Sequence, residues 1–272
     1  MKLEPIKPWI GAEVKDIDLK KPLKDSDISE IRNALHTRGV LVFRNQDMSE
    51  DDTVRFAHYF GRISKLGSVQ KSLKNGVSYV SNTRPDGAFG KGELVFHNDM
   101  TFFDTPCKGI MLYGMEVPSS GSCTLFSNTA HSLRSMPTEV REKFEKINVL
   151  SSIDYDTIIY NPEKKKEIQK LVTSRVHPLV IKHPWSDEKI IFLSQLRGRV
   201  DGLDDDKSAE VMKLVDKYVR DEPSIYRHSW SVGDLVFWDN FLVQHARDNF
   251  DDKESRTLRR CVVAHEDEPI AA

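Results

Sequence analysis

Cysteine is scarce in this sequence: Cys107, Cys123 and Cys261 are all there is, widely spaced and odd in number. They form no CxxC pair and no disulfide framework, which excludes a disulfide-stapled scaffold and fits a reducing compartment. Long apolar runs are missing too. No segment approaches the roughly 20 apolar residues of a membrane helix. The opening stretch MKLEPIKPWIGAEV places two prolines and charges where a signal peptide needs an unbroken apolar run. The expectation is a soluble, cytoplasmic protein with no membrane partner. Neither charge sign dominates: 40 basic side chains face 42 acidic ones, a formal net charge of -2. A dedicated nucleic-acid binder would carry an excess of Lys and Arg, so no nucleic-acid partner is expected. A local basic pocket for a small anion remains open. Repeats, low-complexity tracts and linkers rich in Pro, Gly or Ser are absent as well. One domain over residues 1–272 follows, long enough for a sizeable core.

What is present is a series of short strand-like runs with helices around them. Residues 25–37 read as a helix that Asp25 or Ser26 can cap, with Ile28, Ile31 and Leu35 at helical spacing. Val40-Leu41-Val42-Phe43 follows Gly39 as a buried strand. Ser49-x-x-Asp52 is a capping-box pattern opening a second helix, which Gly61 ends. Residues 109–117, 121–127, 176–182, 189–194, 234–238 and 260–265 read as strands, with a hairpin turn at 183–188. Residues 128–147 read as helix broken at Pro137, and 205–220 as helix. The charged segment 154–172 reads as a solvated helix face. The Gly-rich loop 84–93 matches neither a dinucleotide fingerprint nor a P-loop. Strands and helices do not alternate regularly, which disfavours a doubly wound sheet. A mainly β double-sheet jelly roll with peripheral helices fits better.

Two places carry chemistry. His97 and Asp99 stand two apart in Phe96-His97-Asn98-Asp99-Met100; on a strand they would share a face and reach one metal. Two histidines and one carboxylate with open positions suit a non-haem Fe(II) that must bind a cosubstrate and dioxygen. Alone, such a triplet is weak evidence. The second place is the stretch from Phe237 to Arg247, where Trp238-Asp239-Asn240 forms a turn and His245 follows. Arg256 and Arg260 come later, four apart, just before the apolar Cys261-Val262-Val263-Ala264. A guanidinium is costly to bury unless an anion meets it. A dicarboxylate would be such an anion. A surface arginine cluster is the plainer reading of either arginine by itself.

Taken in order, these pieces resemble the taurine dioxygenase-like family of Fe(II)/2-oxoglutarate oxygenases, which includes taurine and chlorophenoxyacetate dioxygenases. The resemblance covers nearly the whole chain. It runs from Gly39-Val40-Leu41-Val42-Phe43-Arg44 and Phe56-Ala57-His58-Tyr59-Phe60-Gly61 through Phe96-His97-Asn98-Asp99-Met100-Thr101-Phe102. It continues with Gly121-Ser122-Cys123-Thr124-Leu125-Phe126, His177-Pro178-Leu179-Val180 and His183-Pro184, and ends in Trp238-Asp239-Asn240 to His245. It implies a double-stranded β-helix, an iron held by His97, Asp99 and His245, and 2-oxoglutarate bound by Thr124 and Arg256. Arg260 matches a position that serves the substrate's anionic group in some members and the cosubstrate in others. The intact Asp99 argues against a halogenase. Asn98 and Met100 occupy variable places, and loop 84–93 lacks the polar pattern of a sulfonate site.

The resemblance implies a small-molecule substrate oxidised at a C–H bond, most simply by hydroxylation, as 2-oxoglutarate becomes succinate and CO2. Desaturation, cyclisation or cleavage are alternative outcomes, and a non-catalytic metal-binding or sensor protein on the same fold is the alternative from another class. Phe102, Phe192 and Arg197 are the further candidates for substrate contact. Residues 154–170, with Tyr155 and Tyr160, are a candidate lid. The oligomeric state is not readable from the sequence, although members of the family often form dimers or tetramers, which leaves a homo-oligomer open.

Overall fold

The apolar runs become two β-sheets that face each other. The structure is a computed structural model and describes residues 1–64, 76–152, 174–194, 198–265 and 269. The larger sheet has eight strands, in the spatial order Lys2–Pro5, Ala12–Lys15, Val40–Phe43, Leu235–Asp239, Gly109–Glu116, Thr257–Val263, Val77–Ser81 and Gly87–Ala88. The smaller has four: Ile225–His228, Thr124–Asn128, Val243–Arg247 and Leu94–His97. This is the jelly roll that the strand pattern led to.

The continuous apolar runs are explained by a larger sheet buried on both faces. Val40, Val42, Leu112, Val236 and Trp238 point between the sheets, where they meet Phe126 and Val243. Their alternate neighbours Leu41, Phe43, Met111, Leu235 and Phe237 point the other way, under the helices Asp25–Arg38 and Glu50–His58. Each fully buried side chain of this size contributes roughly 1.5–3 kcal/mol. The outer face of the smaller sheet is covered by the helices Thr129–Arg134, Thr138–Phe144 and Asp205–Val219 through Leu133, Phe144 and Val215.

Several local expectations need adjustment. The first helix is preceded by Lys24, which makes no side-chain cap bond, so neither Asp25 nor Ser26 caps it; Gly39 closes it at φ 73. The capping box at Ser49 and Asp52 is present, but that helix ends at His58, before Gly61. The run 176–182 divides. Arg175–Pro178 pairs with Asn148–Ser151, whereas Val180–Lys182 forms the hairpin with Lys189–Ile191. Pro178, with no N–H to donate, marks the break. The charged segment 154–172, with Tyr155 and Tyr160, lies outside the described residues, as does Arg197. Among the described residues no helix is long and apolar enough to cross a membrane.

Candidate active site

His97 ends one strand of the smaller sheet and His245 sits within the next, directly opposite in register. Their ring centroids are 4.1 Å apart. His97 Nδ1 donates to the Val95 carbonyl at 2.8 Å, which leaves the Nε2 lone pair exposed to the site, 3.2 Å from Asp99 Oδ1. One donor atom from each of His97, Asp99 and His245 lies within 4.8 Å of the others. Asp99 does not arrive by strand alternation, as its spacing from His97 led us to expect. The strand stops at His97, and Asp99 stands in a tight turn whose next residue, Met100, has φ 64.

Two asparagines hold that turn. Asn98 Nδ2 donates to the carbonyls of Asn240 and Val243 at 2.7 and 3.1 Å, and its Oδ1 accepts the Leu193 N–H. Asn240 reaches back to the backbone of Asp99 and to the Cys107 carbonyl. The two ends of the sequence motif are thus fastened to each other by buried amides that the sequence reading passed over.

The charges suit a divalent metal. Burial, then His97, hold the His245 imidazole at about 3, so it is neutral and offers a lone pair. Burial alone would push Asp99 up, but Arg260, with His97 and His245, carries it well below the usual carboxylate range. Arg260 Nη2 meets Asp99 Oδ2 at 2.6 Å. Two imidazoles, that of His97 with its Nε2 turned to the site, and one ionised carboxylate make the donor set of a non-haem iron site.

The triad shares a cleft with Thr124, Arg247, Arg256 and Arg260. The arginines are in different states. Arg260 is on Asp99. Arg247 donates to backbone carbonyls of Phe89, Lys91 and Gly92. Arg256 is buried, and its Nε and Nη1 have no hydrogen-bond partner among the described residues. Burial, then Arg247, press it down to about 9, so it stays protonated at neutral pH. Such a group calls for an anion, and a carboxylate fits its fork best. Thr124 Oγ1 accepts the Trp230 Nε1–H at 2.9 Å, which leaves the hydroxyl proton for the cleft.

Other candidates fall elsewhere. Phe192 is buried in the core, stacked on Phe241 at 5.3 Å, and Phe102 packs on Phe103; neither lines this cleft. The sequence reading missed Val80, Phe89, Leu112 and Arg247 as lining residues. Only Arg247 left a signal, its spacing of two from His245. A second group, His36, His183 and Asp239, also brings three metal-capable side chains together. Here one carboxylate accepts from four donors: His36 Nδ1 at 2.7 Å, His183 Nε2 at 3.0 Å, and the N–H groups of Phe241 and Leu242. These bonds occupy both carboxylate oxygens and secure the turn that carries Asn240, while His36 Nε2 is buried with no partner among the described residues.

The family model described as taurine catabolism dioxygenase TauD, TfdA family matches residues 2–262. An alpha-ketoglutarate-dependent 2,4-dichlorophenoxyacetate dioxygenase of Cupriavidus pinatubonensis is 27% identical over 95% of this chain and 96% of its own. An alpha-ketoglutarate-dependent sulfate ester dioxygenase of Pseudomonas putida is 28% identical over 97% and 89%. Among solved structures, AAD-2 in complex with Mn(II) and N-oxalylglycine superposes with a TM-score of 0.84 at 23% identity, covering 99% of both chains.

Proposed function

The chain belongs to the TauD, TfdA family, and from that premise we propose which of its residues do the work and what class of molecule it oxidises. The enzyme is an Fe(II)- and 2-oxoglutarate-dependent dioxygenase. In our reading His97, Asp99 and His245 hold the iron, Arg256 and Thr124 hold the far carboxylate of 2-oxoglutarate, and the chain works as one domain. One observation carries this: two donors of buried Arg256 that have no partner among the described residues share a cleft with the imidazoles of His97 and His245 and the ionised Asp99 carboxylate. A closed structural metal site would need no such arginine, which speaks against a sensor.

When bound, the iron supplies the redox chemistry that couples dioxygen to decarboxylation of the 2-oxo acid. The protein's part is positioning. Arg256 supplies the positive charge that fixes one end of the diacid. Trp230 turns the Thr124 hydroxyl so that its proton faces the cleft. Arg260 keeps Asp99 ionised, and Asn98 and Asn240 keep it aimed at the histidines. Val80, Leu112 and Trp238 line the cleft with apolar surface that excludes water.

The reaction we propose is hydroxylation of an unactivated C–H in a small organic anion, with release of succinate and CO2. The two relatives named above act on a phenoxyacetate and on a sulfate ester, and both substrate types carry an anionic group. Titrating 2-oxoglutarate anaerobically into the Fe(II)-loaded protein tests the site. A weak visible charge-transfer band is expected. Its absence, with iron confirmed bound, would overturn the assignment.

A further inference from the structure

A β-bulge sets the arrangement from which this inference starts. His97 pairs with His245, but Leu94 pairs with Arg247, so Val95 and Phe96 together face the single residue Ala246. The extra residue turns both His97 and Leu94 toward the cleft. Across the smaller sheet, His97, His245 and Phe126 therefore stand in one row, and Leu94, Arg247 and Thr124 in the next. The rows are one pleat repeat apart, about 7 Å, comparable to the span of a five-carbon diacid. The first row holds the triad's histidines. The second lies at the Arg256 end, where the Phe250 ring stands 5.7 Å from both guanidinium groups, Arg247 and Arg256.

Over that second row lies the loop from Asn82 to Gly92, which is anchored along its length. At its start, Asn82 Oδ1 accepts the Arg256 N–H at 2.9 Å, and the Asn82 N–H donates to the Arg256 carbonyl. Its middle lies flat on the strand Val77–Ser81, because a Cβ on Gly87 or Gly90 would run into the Ser81 carbonyl. At its end, the buried Arg247 guanidinium donates to the carbonyls of Phe89, Lys91 and Gly92. Phe89 itself has φ 51, a left-handed backbone that is unfavourable for a residue with a side chain. Its side chain lines the cleft. An aromatic residue held in that conformation by an arginine from the metal-bearing strand is placed, not incidental.

We propose that Arg247 latches this loop as the far wall of the cosubstrate end of the cleft, and that Phe89 limits the length of the 2-oxo diacid accepted. Arg247 is a positioning residue and Phe89 a selectivity residue. The inference rests on the cosubstrate site argued above.

The test uses Mn(II)-loaded protein and calorimetric binding of 2-oxoglutarate and of its six-carbon homologue, 2-oxoadipate. The intact protein is expected to prefer the five-carbon acid by about tenfold or more, the scale on which one methylene is discriminated. Phe89→Ala should bring the two affinities within about threefold of each other. Arg247→Met should weaken both acids and speed hydrogen exchange at the amides of residues 89–92. An unchanged preference in Phe89→Ala overturns the proposal, as does wild-type exchange of the loop in Arg247→Met. If Arg247→Met fails to fold, Phe89→Ala decides alone. Failure of the unaltered protein to bind 2-oxoglutarate overturns the cosubstrate site itself; binding without chain-length preference overturns only the wall.

Discussion

Asn240 grips Asp99 on both sides of its backbone: Oδ1 accepts the Asp99 N–H at 2.8 Å, and Nδ2 donates to the Asp99 carbonyl at 2.9 Å. One side-chain amide thus pairs with the metal-site turn much as a neighbouring strand would. Asn240→Ala leaves buried backbone groups unmet, each worth about 1–3 kcal/mol. A loss of about 2–4 kcal/mol in denaturant unfolding is expected, together with weaker Mn(II) binding. Equal stability in the variant would show that the turn holds without this amide.

Arg256→Met separates the metal from the cosubstrate. Mn(II) binding should persist, because the triad does not touch Arg256. Binding of 2-oxoglutarate should fall by about 30-fold or more, the consequence of losing a charge-assisted pair worth at least about 2 kcal/mol. Calorimetry on the Mn(II)-loaded variant measures it, and undiminished binding would remove Arg256 from the site.

Metal stoichiometry tells the two histidine clusters apart. One ion per chain is expected. His97→Ala should abolish tight binding, and His36→Phe should leave the stoichiometry at one while lowering thermal stability. Two ions per chain, falling to one in His36→Phe, would mean that the Asp239 cluster binds metal as well.

The thiols give a pH prediction. Burial pushes the Cys261 thiol up to about 12 and, with Asp99 adding to it, raises Cys107 well above the ordinary thiol range. A raised thiol pKa means that the fold favours the protonated form. This contribution to stability is fully present below the ordinary thiol pKa and is lost as pH climbs from there toward about 12. At pH 8 a thiol reagent should find only Cys123 in the folded protein, and all three cysteines after unfolding. Reaction of Cys261 in the folded protein at that pH would contradict its burial.

The sequence led to the fold and to the proposed metal triad for different reasons. Val40–Phe43 and Leu235–Asp239 are unbroken apolar runs because both faces of their sheet are buried, and short unbroken runs read readily as strands. His97 and Asp99 alone were weak evidence, and it was the family resemblance, carried by the order and spacing of many pieces, that joined the distant His245 to them. What stayed hidden depends on register. Simple alternation from His97 puts Leu94 on the opposite face, and only the bulge brings it inward. Asn98 looked like a filler between two ligands, yet its amide meets three backbone partners contributed by residues far along the chain. Arg260 read as meeting an anion of either substrate or cosubstrate, and only the folded geometry sets it against Asp99.

His245 and Arg247 share one strand with a single residue between them. Because side chains alternate sides, a slip of one position in that strand would turn both outward together. A misregistered molecule could not keep the proposed iron ligand His245 in place while losing the proposed latch Arg247. On the proposed site, an assembly error at this strand would thus remove the metal ligand and the latch in one step, leaving no half-built cleft.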